Sequence, residues 1–215
     1  MRDLPFPEPN SGGSGGGRRR PPSLKAPKRQ KIVAAMLAVV GELGYERASV
    51  QAVLERAGLY RQAFYDEFAS KEDCFGWAYE EAAAAVEAEV LEAAAAARGW
   101  EAQLRAGLGR LLELLDGDPV LGRALLVEVH PAGGRPLARR RLALERAATF
   151  LARGCEEGQP PALAPAVTAA GIHSVLHSRL ANGRGRLREL RGELMYVAVL
   201  PYRGADAAAA AMARD

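Results

Sequence analysis

The stretch SVQAVLERAGLYRQAFYDEFASK, residues 49–71, leaves the backbone few choices other than helix, tight turn, helix. Ser49 is a helix-capping residue, and Val50, Val53 and Leu54 behind it fall on one helical face. Ala57-Gly58 breaks that helix, with glycine supplying the backbone freedom a sharp reversal needs. Phe64 and Phe68, four apart, share one face of a second short helix and read as core. Tyr60, Arg61, Gln62 and Ala63 occupy its first turn. A helix-turn-helix presents that turn to base edges in the DNA major groove.

The flanking sequence supplies the rest of a helical domain. Ile32, Met36, Val39 and Leu43 recur at helical spacing, predicting a helix over 28–43 that Gly44 ends as a left-handed cap. Ser70 with Asp73 three residues on opens a long helix that Gly99 ends. Its stripe is Phe75, Tyr79, Val86 and Val90, and its alanine-rich middle gives high helix propensity with little bulk.

Residues 44–45 (Gly-Tyr), 49–50 (Ser-Val), 57–58 (Ala-Gly), Tyr65-Asp66-Glu67-Phe68 and Lys71 stand at mutually consistent spacings. Together they resemble the DNA-binding segment of the TetR family of bacterial transcriptional regulators. Two positions depart from that pattern: Tyr60 stands where a small hydroxyl residue is usual, and Cys74 where leucine is usual. The resemblance implies that Ser49, Tyr65 and Lys71 hold DNA phosphates, which fix position without specifying sequence. The residue types on the reading turn carry the specificity. The Arg61 fork suits guanine, Gln62 suits adenine, Ala63 suits a thymine methyl, and Tyr60 suits a phosphate or the sugar edge. The resemblance also implies a dimeric repressor that holds a palindromic double-stranded operator and leaves it when a small-molecule effector binds the body.

Charge is concentrated ahead of this domain. Residues 1–31 hold eight Lys or Arg against two acids, a net +6, in a chain whose total is +3. A Gly/Pro-rich basic tail over 1–26 is expected to be disordered. It reads equally as a solubilising segment or as an arm that neutralises phosphates, with Lys28 and Arg29 joining the DNA contacts.

Downstream, the pattern predicts an all-α fold: a helix-turn-helix domain over 27–86, then a regulatory and dimerisation domain over 87–215. Leu104, Leu108, Leu111 and Leu115 mark one helix, and Asp118-Pro119 caps the next. Residues 130–135 read as a loop, Pro136 to Arg153 as helix, and 158–165 as a linker. A helix over 166–181 places Ile172, Val175, Leu176 and Leu180 on one side. The final long helix runs over 187–200, Pro201 stops it, and the alanine-rich end forms a short helix or frays. The last two long helices, joined by a glycine turn, suit self-association by two-fold symmetry.

Trp77, Tyr79, Trp100, His130 and His173 are the candidates for an effector pocket. His173 and His177 have metal-compatible spacing but no third ligand nearby in sequence, so no metal or cofactor is assigned. Arg139, Arg140 and Arg141 read as a solvated face, with one of them suited to an anionic ligand. There is no Ser-His-acid order, phosphate-binding glycine loop or di-iron motif. A metal-dependent or enzymatic helical protein, and a helical interaction module without DNA binding, are the alternatives. No apolar run approaches a membrane span, no secretory h-region opens the sequence, and two distant cysteines imply a reducing compartment, the cytoplasm.

Overall fold

A computed structural model describes residues 26–155, 161–183 and 185–214. The basic tail over 1–25 lies outside the described residues, so its expected role is not addressed by the fold. Every regular element among the described residues is helical. The helices are α1 (Ala26–Leu43), α2 (Val50–Ala57), α3 (Arg61–Tyr65), α4 (Lys71–Ala95) and α5 (Trp100–Gly117). They continue as α6 (Pro119–Leu126), α7 (Val129–Ala132), α8 (Gly134–Ala152), α9 (Ala164–Asn182) and α10 (Arg191–Met212), the last preceded by a 3-10 turn, Leu187–Leu190. Among the described residues, no helix is long and apolar enough to cross a membrane.

The apolar side chains collect into two cores. The first joins α1, α2, α3 and the first half of α4 around Ile32, Met36, Val53, Phe64, Phe68 and Phe75. It is completed from the body by Leu125 and Val129, so the head is closed by residues far along the chain. The second core lies wholly in the body, around Leu112, Leu115, Leu176 and Met195. Helix α4 runs from one to the other. Phe75 and Tyr79 are buried, whereas Val86 and Val90, expected in the same stripe, are only partly covered. The distal half of α4 meets α5 through Glu89–Arg110 and α8 through Glu87–Arg139.

Two further contacts help fasten head to body. Helix α1 lies against α6 so closely that a Cβ on Gly41 would stand 2.1 Å from the carbonyl oxygen of Val120. Beside it sits a buried polar junction. The Glu128 carboxylate accepts the Tyr45 backbone N–H at 2.8 Å and pairs with Arg123 at 3.4 Å. Arg123 also donates to the Gly41 carbonyl at 3.1 Å and to the Leu180 carbonyl at 3.4 Å. One guanidinium thereby ties α1, α6 and α9 together.

The structure departs from sequence expectation where packing overrides pattern. Leu43 ends the α1 stripe exposed, because Val40 takes the buried position. In α5 the fully buried residue is Leu112, not Leu111. Val175 points outward while Leu176 and Leu180 are buried. The 130–135 segment is not simply a loop: Val129–Ala132 makes a helical turn that buries Val129 in the first core.

Pro201 does not stop α10. A proline inside a helix costs about 3 kcal/mol, but burying Val199 and Tyr202 on either side favours continuing. The break falls at Gly204, whose φ of 79° and ψ of 178° suit glycine alone. The alanine-rich end then returns as helix, with Ala208 and Ala211 fully buried and Arg105 donating to the Ala211 carbonyl.

Gly41→Ala is expected to lower stability by about 1–3 kcal/mol through overpacking, a melting temperature drop of several degrees in thermal denaturation. Gly117→Ala, where an added Cβ meets nothing within 4 Å, should leave the melt unchanged or raise it slightly. Equal melts for the two variants would show that the α1–α6 approach does not constrain the fold.

Candidate functional site

The surface formed by α2 and α3 follows from local chemistry. The Ser49 hydroxyl accepts the Ala52 N–H at 3.1 Å and caps α2, so this side chain has an internal partner. Gly58, at φ 64° and ψ 39°, makes the left-handed reversal. Tyr60 occupies the cap position of α3 but makes no side-chain cap bond, since a phenol cannot fold back onto the first turn as a short hydroxyl does. It projects into solvent, 89% exposed. Phe64 and Phe68 anchor the motif beneath, their ring centroids 5.8 Å apart.

Arg61 and Gln62 face solvent, and each is held by the residue one turn on. Arg61 Nη2 lies 3.4 Å from the Tyr65 hydroxyl, with its guanidinium over the Tyr65 ring at 5.4 Å. Gln62 Nε2 donates to Asp66 Oδ1 at 3.0 Å. Ala63 is half-buried between them. These i,i+4 contacts limit the rotamers of two side chains that would otherwise be mobile. Tyr65 itself is 45% exposed and packs edge-on against Phe64.

The acids at 66 and 67 behave differently. Asp66 stays on the exposed face with Gln62, whereas Glu67 turns inward to Arg29, 3.6 Å away. Arg29 also donates to the Glu67 carbonyl at 3.3 Å, and its guanidinium lies 4.4 Å from the Phe68 ring centroid and 4.8 Å from that of Trp77. Arg29 is therefore a staple between α1, α3 and α4, and not an outward-facing cation like Lys28. Lys71 is partly engaged as well. Its ammonium donates to the Tyr45 carbonyl at 3.1 Å and sits over the Tyr45 ring at 4.3 Å. Burial, followed by the neighbouring Glu72 carboxylate, pushes the Tyr45 phenol up to about 12. Tyr45 therefore stays neutral beneath Lys71.

The five residues expected to line one pocket do not converge. Trp77 belongs to the head surface, flanked by Arg29 and Arg135. Trp100 is buried in the second core, donates to the Phe150 carbonyl at 3.2 Å, and borders an open groove of about 740 Å³ beside α5 and α10. Their indoles serve packing at opposite ends of α4. Tyr79 closes the first core and donates to the Leu125 carbonyl at 3.2 Å.

His130 and His173 do gather, together with His177. The rings of His130 and His177 meet edge to face, with centroids 6.0 Å apart. Arg140 Nε donates to His173 Nε2 at 3.1 Å. The expected solvated arginine face is accordingly split. Arg141 is exposed, Arg140 turns to His173, and Arg139 is largely buried against Glu87, which also accepts from Arg146 at 2.6 Å. Burial acts to raise the Glu87 carboxyl, but these two guanidiniums outweigh it and hold it below the usual range. Sequence had singled out the i,i+4 histidines and the arginine run separately. Only the crossing of α8 over α9 joins them.

The family model described as bacterial regulatory proteins, tetR family, matches residues 32–76. Residues 32–76 therefore carry a TetR-family amino-terminal domain. The match covers α1 to α3 and the start of α4, so the TetR-family head is the unit just described. No curated protein matches the sequence. Solved structures extend the likeness through the body. The fatty acid degradation regulator FadR from Bacillus halodurans superposes with a TM-score of 0.70 at 19% identity, over 81% of this chain and 94% of that one. FadR from Bacillus subtilis, in complex with stearoyl-CoA, gives 0.67 at 20% identity, over 81% and 98%. A gamma-butyrolactone receptor described as ArpA-like gives 0.65 at 20% identity, over 89% and 99%. At such identities the likeness is one of fold.

The His173 imidazole is held down at about 4, by burial first and then by Arg140, His177 and His130. The unfolded chain takes up this proton near its ordinary value of 6.5. Folding stability is therefore full above that pH and declines as pH falls toward 4, where the folded protein also protonates. His173→Gln is expected to flatten that decline in urea unfolding at pH 7 and pH 5. Parallel pH dependence in wild type and variant would remove His173 as its source.

Proposed function

We propose that this protein is a dimeric, cytoplasmic transcriptional repressor that grips a palindromic double-stranded DNA operator and releases it on binding a small-molecule effector in its body. The observation that carries the reading is the exposed turn of α3, where Arg61 and Gln62 project above a fully buried Phe64. A donor-rich turn on a rigid anchor is what major-groove readout requires. Arg61 takes guanine, Gln62 exchanges Asp66 for adenine, and Ala63 meets a thymine methyl. Tyr60, Tyr65, Ser49, Lys28 and Lys71 lie around this turn as candidates for backbone contacts. Because Glu67 is withdrawn to Arg29, Asp66 is the acid left on the α3 face.

The outward side of α9 supports self-association. Leu163, Val167 and Val175 are exposed along it, and no charged residue interrupts the exposed row from Leu163 to Asn182. Val197 and Leu200 on α10 are exposed as well. Covering such faces with a second copy would space two heads for half-sites about one DNA turn apart, roughly 34–36 Å. The solved relatives support effector control. One is described in complex with stearoyl-CoA and another as a gamma-butyrolactone receptor. A ligand in the body would act through α4 and through the Arg123–Glu128 junction, which both reach the head.

Footprinting on the DNA upstream of its own gene should give a protected palindrome with steeply salt-dependent affinity. Arg61→Ala should cost about 1–3 kcal/mol and relax preference at one base position. Lys71→Ala should weaken all sequences alike and reduce the salt slope by about one. Base preference unchanged by Arg61→Ala would remove Arg61 from readout. Val175→Glu should give a monomer in analytical ultracentrifugation and a large loss of operator affinity. A persistent dimer would move the interface elsewhere.

A further inference from the structure

The chain contains three histidines, and all three meet at one place in the body. His130 comes from α7, His173 and His177 from α9, and Arg140 from α8 completes the group. The charges around it are one-sided. Arg140 pairs with no carboxylate among the described residues. The acids that α4 pairs with α8 are committed to other arginines, Glu87 to Arg139 and Arg146 and Asp73 to Arg135. Tyr79, also on α4, is pushed up to about 12 by burial and remains a neutral phenol donating to Leu125. Arg139 Nη1 is buried without a hydrogen-bond partner. Arg140 and the three imidazoles thus accumulate where the neighbouring acids are already committed to other arginines.

Such a grouping opposes folding, and the structure accommodates it at His173 by keeping that imidazole neutral. His173 Nε2 accepts from Arg140 and is therefore unprotonated there. His130 is also held below its ordinary value, by burial first and then by Arg140 and His177. Uncompensated clusters of this kind concentrate at binding sites, where a ligand supplies the missing charge. A guanidinium with its terminal nitrogens uncommitted matches a planar or tetrahedral oxyanion. Imidazoles beside it add N–H donors and gain protons as the negative charge arrives.

We propose that Arg140, His130, His173 and His177 form an oxyanion subsite in the body, which takes the carboxylate or phosphate group of the effector. This rests on the effector-release reading above and narrows it to an anionic effector. His130 is exposed and Arg140 and His177 are half-buried, so the cluster opens to solvent along α7 and α8. The subsite lies beside α7, two residues beyond Glu128, which holds the Tyr45 backbone of the head. An anion drawing α8 and α9 together there would load the same α6–α7 segment that braces α1.

The test uses the full chain with ¹⁵N-labelled histidine, since every imidazole signal then reports on the site. Inorganic phosphate and butyrate are titrated separately at constant ionic strength, with chloride as the balancing salt. Saturable shifts with either probe are expected, with the His173 titration moving up by on the order of one pH unit. Phosphate alone or butyrate alone saturating identifies the preferred oxyanion. Arg140→Gln should weaken binding about tenfold or more. Arg141→Gln, at the neighbouring exposed position, should leave binding unchanged. If Arg140→Gln fails to fold, Arg140→Lys takes its place and should bind more weakly than wild type, because it keeps the charge without the fork. Shifts that never saturate, or affinity unaffected by the Arg140 variant, overturn the subsite. A parallel operator titration separates the two readings. Saturable anion binding with unaltered DNA affinity keeps the subsite and sinks effector release.

Discussion

The architecture depends on the pairing of the buried Glu128 carboxylate with the partly exposed Arg123 guanidinium. A charge taken out of water must be met by hydrogen bonds on every side, or it destabilises the fold by several kcal/mol. Glu128 meets this need with the Tyr45 backbone and Arg123. Arg123 meets it with the Gly41 and Leu180 carbonyls. The geometry that satisfies both residues fixes α1, α6 and α9 relative to one another. Head and body are therefore not two beads on a rod. They share a polar junction that tolerates little relative motion without leaving a charged group unpaired.

This junction gives α4 a definite mechanical setting. Its first half is locked into the head core through Phe75 and Tyr79, whereas its second half is alanine-rich and partly exposed. A rod fixed at one end and loosely covered at the other is mechanically suited to the coupling of body to head proposed above. The head responds as a unit, because Arg29 clamps Glu67, Phe68 and Trp77 into one cluster around the end of α3. The same clamp draws Glu67 inward and leaves Asp66 on the exposed face of α3.

Much of this was legible in the residues. The Ser49 and Ser70 caps, the Gly58 reversal, the Phe64–Phe68 anchor and the Asp118-Pro119 start all depend on neighbours within a few positions. Local periodicity and capping chemistry specify such features directly. Failures came where a distant partner decided the outcome. Arg29 and the Arg139–Arg141 run read as surface charge until Glu67, Glu87 and His173 were placed beside them. Pro201 read as a stop, because the burial on both sides of it comes from other helices.

By itself, the sequence determined an all-helical chain with a helix-turn-helix head and an exposed turn opening its second helix, because side-chain spacing and caps act within one or two turns of backbone. Only the tertiary structure decided which cations face solvent, as Lys28 and Arg61 do, and which brace the head, as Arg29 does. It alone joined three scattered histidines to Arg140, and tied Glu128 to a loop eighty-three positions earlier. Those outcomes depend on how helices cross, and no spacing along a single helix encodes the angle at which another will meet it.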